Sequence, residues 1–135
     1  MSYYIARTVM GPFDAVVQDV TARLRDNGFG VLTDIDVRAT LKNKLDVDVP
    51  KYRILGACNP RFAHEALKVE DKLGVLLPCN VIVRDAGAGR VEVAVIDPIE
   101  QMERTGNPAL RATAGEVHQL LSNVINGLAP PGLPH

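Results

Sequence analysis

Two turn signals of nearly the same composition, Gly56-Ala57-Cys58-Asn59-Pro60 and Leu77-Pro78-Cys79-Asn80-Val81, flank a helix-sized stretch of the chain. Each falls where a strand-like apolar run meets a turn, so the direction of the two flanking strands decides where the signals end up. In an ordinary crossover the strands run parallel, and Cys58 and Cys79 sit at opposite rims of the sheet, a strand length apart. If residues 74–78 instead travel back beside the helix, the second strand starts where the first stopped and both sulfurs arrive at one rim. Read as extended, Gly74–Pro78 spans about 16 Å at ~3.3 Å per residue, nearly the length of helix it must retrace. The antiparallel arrangement is the expected one, and it brings together the two cysteines of the chain.

The remaining elements follow from periodicity. Residues 2–9 carry the β-branched and aromatic bias of a strand, and Gly11-Pro12 opens a helix with proline where its missing N–H does no harm. Phe13, Val16, Val17, Val20 and Leu24 recur every three or four positions, and Asn27-Gly28 supplies the stop. From Phe29 to Val37 the period changes to two, which predicts a strand with one wet face, Phe29, Val31, Thr33, Ile35 and Val37 lying on one side and Gly30, Leu32, Asp34 and Asp36 on the other. Residues 38–46 suit a short helix held by Leu41 and Leu45, before Pro50 forces an extended chain. Tyr52 to Ala57 reads as a strand, and Asn59-Pro60 as N-cap and first residue of a helix with Phe62, Ala66, Val69 and Leu73 on its buried side, ended by Gly74. Cys79 to Arg84 and Arg90 to Ile96 form a hairpin about Ala86-Gly87-Ala88-Gly89. Asp97-Pro98 caps a closing helical region carried by Leu110, Val117, Leu120, Leu121, Val124 and Leu128, with an interruption at Gly106-Asn107-Pro108. One α+β domain over residues 1–128 is expected, followed by a flexible tail over 129–135.

Composition narrows the function. A chain of 135 residues buries enough surface to need no metal or disulfide staple. Charged residues make up 23% and nearly cancel at a net −1, so no basic field selects nucleic acid. No stretch has the length of a signal peptide's apolar segment or of a membrane span, and a soluble cytoplasmic protein is expected. In that compartment two cysteines read as free thiols, metal ligands or a redox pair rather than a structural bridge.

The candidate site is Cys58, Asn59, Cys79 and Asn80. A cysteine ahead of a helix N-terminus feels the positive end of the dipole, which favours thiolate, and the asparagine amides can donate to a thiolate or an anionic ligand. The plainer reading is that the cysteines pack as small hydrophobes and the asparagines cap and turn. Two thiolates suit zinc or cuprous copper, with His64 one turn into the same helix as a third ligand, but tetrahedral zinc needs four and the spacing matches no standard finger. Redox chemistry lacks the usual Cys-x-x-Cys spacing. Asp97 reads as a cap, His118 as a boundary residue and His135 as part of the tail. Asp34, Asp36, Asp46 and Asp48 lack the glycine and terminal glutamate of a calcium loop and read as a solvated face.

Tyr52-x-Ile54-Leu55-Gly56-Ala57-Cys58-Asn59-Pro60, Ala63-x-x-Ala66-Leu67, Gly74-x-x-Leu77-Pro78-Cys79-Asn80-Val81-x-Val83 and Ile96-Asp97-Pro98 together resemble the domain-of-unknown-function 302 family, over roughly residues 3 to 127. The resemblance implies an antiparallel sheet covered on one face by helices, similar to the TATA-binding-protein-like arrangement, in the order β-α-β-β-α-β-β-α, and a homodimer. It brings no activity with it, so whether the chain is an enzyme stays open.

A sheet covered on one face leaves the other unaccounted for. Leu32, Leu55 and Ile82 are expected there, and dimerisation through that face is the economical reading. Two functions remain: a ligand- or metal-binding domain centred on Cys58-Asn59 and Cys79-Asn80, or a non-enzymatic dimeric interaction module whose cysteines are structural.

Overall fold

The computed structural model describes residues 2–128; the expected tail, with His135, lies outside them. The chain runs β1 (Tyr4–Met10), α1 (Phe13–Asp26), β2 (Gly30–Asp36), α2 (Val37–Leu45), β3 (Tyr52–Cys58), α3 (Pro60–Val69), β4 (Cys79–Gly87), β5 (Arg90–Ile96), α4 (Pro98–Glu103) and α5 (Arg111–Asn126). The five strands form one sheet in the order β1-β5-β4-β3-β2, and every neighbouring pair is antiparallel. This is the expected α+β arrangement, with the short helices α2 and α4 added to its order.

Alternation divides β1, β3, β4 and β5 between two environments. Val9, Leu55, Ala57, Cys79, Val81, Val83, Val91, Val93 and Val95 face the helices and join Val16, Val20, Leu24, Val117, Leu121, Val124 and Ile125 in the main core. The stripe of α1 read from its spacing is the stripe that packs, because a 3.6-residue repeat leaves a single apolar side for the sheet. A smaller cluster of Ala66, Leu73, Met102, Leu110 and Ala114 ties α3 to the α4–α5 region. At the end of α1, Gly28 takes φ +87°, a left-handed turn that returns the chain directly into β2.

The structure corrects three local expectations. Leu55 does not face outward; at 1% exposure it lies in the core, because its partner in register is Val81 on the helix side of β4. β2 does not bury one face: a bulge between Val31 and Thr33 breaks its alternation, and Thr33 and Ile35 are exposed along with Leu32, which is 67% exposed and was expected away from the helices. The path before β4 is not an extended Gly74–Pro78 run. A 3-10 turn occupies Leu73–Leu76, and because α3 already ends at Val69, less helix has to be retraced.

Candidate functional site

The reversal after α3 places the end of β3 beside the start of β4, with Ala57 opposite Cys79 and Gly56 opposite Asn80. Cys58 and Cys79 are both free thiols and line one cavity of about 40 Å³, together with Phe29, Asn59, Phe62, Leu73 and Met102. The space is apolar and about large enough for one water molecule. Cys79 is 9% exposed. Burial, and secondarily the neighbouring Cys58, push its thiol up to about 11 from an ordinary 9.0, so it stays protonated at neutral pH. A protonated sulfur is a poor nucleophile.

The two asparagines separate. Asn59 is the N-cap of α3: its side chain accepts from the Phe62 N–H at 3.5 Å. Its amide nitrogen also lies 3.0 Å from where a Cβ on Gly28 would be, so the α3 cap and the α1–β2 turn fit against each other. Asn80 is exposed on the opposite, uncovered face of the sheet, consistent with alternation after the buried Cys79. The candidate four are thus neighbours along one rim, but the sheet itself stands between Asn80 and the sulfur cavity. His64 does not complete a metal shell: among the described residues, no three His, Cys, Asp or Glu side chains converge to hold an ion.

Two groupings escape the sequence reading. Asp97 caps α4 by accepting from the Ile99 N–H at 2.9 Å, and His118 of α5 sets its Nδ1 3.1 Å from the same oxygen. This pair ties α4 to α5. The second grouping is larger: a hollow of about 350 Å³ on the uncovered face, walled by Tyr3, Tyr4, Tyr52, Asn80, Ile82 and Glu92 among others. It gathers side chains from β1, β3 and the β4–β5 hairpin, three segments remote from one another in sequence, so no local motif announces it. The one signal was Ile82, correctly expected on this face.

Among known proteins, the family model described as "Domain of unknown function DUF302" matches residues 5–128, and the chain belongs to that family. Its fold is similar to that in the crystal structure of uncharacterized conserved protein DUF302 from Bacillus stearothermophilus, with a TM-score of 0.86 and 24% identity over 93% of this chain and 98% of that one. No curated protein matches. Among the described residues, no helix is long and apolar enough to cross a membrane.

Proposed function

We propose that this DUF302 domain works as a homodimeric association module, paired through the β2 edge of its sheet, with Cys58 and Cys79 serving as packing residues. The observation that carries this reading is an uninterrupted span, residues 30 to 54, in which no residue is buried. Ordering a backbone costs about 1–2 kcal/mol per residue, normally offset by burial. Here β2 and α2 are well formed, yet Leu32 (67% exposed), Ile35 (46%), Leu45 (66%) and Val47 (40%) remain in water. A partner surface supplies the missing burial.

The partner that fits is a second copy. β2 is an edge strand, so its outward N–H and C=O groups suit antiparallel pairing with another β2 across a two-fold axis. The span also carries both signs of charge. Arg53 donates to Asp34, and Lys42 lies 3.0 Å from Asp46 and 3.4 Å from Asp48. Such a surface is complementary to itself and exerts no single-sign field on a nucleic-acid backbone.

Size-exclusion chromatography with light scattering tests this. The wild-type chain is expected at twice its 14.6 kDa mass. Leu32→Lys combined with Ile35→Lys is expected to give the single-copy mass with unchanged far-ultraviolet circular dichroism, since neither side chain supports the core. A wild-type protein that stays at the single-copy mass up to millimolar concentration refutes the reading.

A further inference from the structure

We propose that the hollow on the uncovered sheet face is a binding site for a small organic cation, a protonated amine or quaternary ammonium carried on an apolar frame. The chain has three tyrosines and no tryptophan, and all three tyrosines line this hollow. Tyr3 and Tyr4 meet edge to face with ring centroids 5.0 Å apart, and Tyr52 stands across from them on β3. Aromatic faces are negative, and rings grouped around a pocket attract a cation more strongly than a neutral molecule of the same shape. Glu92 is the one charged residue in the lining. Arg84, opposite both Glu92 and Tyr52 in register, donates through Nε to Oε1 of Glu92 at 2.6 Å and fixes the carboxylate beside the hollow. Ile82 forms an apolar floor and Asn80 offers an amide at the rim. At about 350 Å³ the hollow lies within the range of small-molecule sites, which are mainly apolar with a few convergent polar groups.

The site spans β1, β5, β4 and β3, whereas the proposed pairing edge is β2 at the far side of the sheet. The two proposals therefore stand or fall separately. The rings separate this occupant from a neutral apolar molecule, which gains nothing from their negative faces.

Intrinsic tyrosine fluorescence reports on the hollow directly, because every emitting side chain lines it. Choline chloride is titrated against its neutral isostere, 3,3-dimethylbutan-1-ol, at constant ionic strength. Choline is expected to change the emission saturably and to bind at least roughly tenfold more tightly than the alcohol. Glu92→Gln is expected to remove most of that preference, and Tyr52→Leu to weaken choline binding while leaving the circular dichroism intact. Equal binding of the two probes, or no saturable change with choline in a folded protein, overturns the proposal. So does Glu92→Gln retaining the full preference together with Tyr52→Leu retaining the wild-type affinity.

Discussion

Gly56→Val is expected to cost about 3 kcal/mol of folding stability or more, and Gly56→Ala about 2–3 kcal/mol, lowering the melting temperature of the alanine variant by roughly 10 °C. Gly56 is buried in the middle of the site rim, opposite Thr33 on β2 and Asn80 on β4. Its neighbours Leu55 and Ala57 face the core, so a side chain here would project onto the uncovered face. There a Cβ would collide with Thr33 Oγ1 and stand 2.8 Å from Pro78 Cγ. Alanine's lower unfolded-state entropy offsets only about 0.4–1 kcal/mol, so the clash decides the sign. Thr33 can yield by rotation, but the Pro78 ring is fixed by the chain entering β4. Combining Gly56→Ala with Thr33→Ala should therefore recover part of the loss and not all of it, a coupling that thermal melts of the two single variants and the double variant measure. An unchanged melting temperature in Gly56→Ala would contradict this packing.

Gly56 also marks where sequence reading reaches its limit. A glycine in a strand signals close approach by something, but what approaches is set by a bulge in one neighbour and by the entry of another. The large elements were legible because their causes are local. The α1 stripe, the Asn59 and Asp97 caps, and the hairpin turn each follow from residues a few positions apart. The antiparallel meeting of Cys58 and Cys79 was legible too, since chain length through the connection permits it. Leu55 was misplaced because an isolated alternation has two phases, and only pairing with Val81 chooses between them. The exposed β2 was misread because its period of two is intact in sequence, and the bulge at Leu32 leaves no compositional trace. The tyrosine-lined hollow was missed for a related reason: Tyr3 and Tyr4, Tyr52 and Glu92 meet only once the strand order is known.

Alkaline pH is expected to weaken the wild-type protein by roughly 2–3 kcal/mol more than it weakens Cys79→Ala. The Cys79 thiol is raised in the folded state to about 11 from 9.0, chiefly by burial and then by Cys58. A group whose folded value is raised contributes stability that is complete below its unfolded value. That stability drains away as pH climbs through the folded one, here between about pH 9 and pH 11. Other groups titrate in the same range, so the informative quantity is the difference between the two proteins in urea unfolding at a series of pH values. The variant begins lower at pH 8, through the small cavity left by the lost sulfur, and the gap closes or reverses by pH 11. Parallel stability curves would mean that Cys79 is not sealed in the core, and would return the thiol pair to consideration as a reactive site.

The proposed pairing requires that a second copy cover the outward edge of β2. Amide hydrogen exchange on β2 tests that most directly, because the amides pointing toward β3 are protected in any state while those pointing away are protected only by a partner. Protection of the outward Gly30–Asp36 amides that rises with protein concentration, against constant protection in β4 and β5, is the predicted result. Rapid exchange of those amides at every concentration would contradict it.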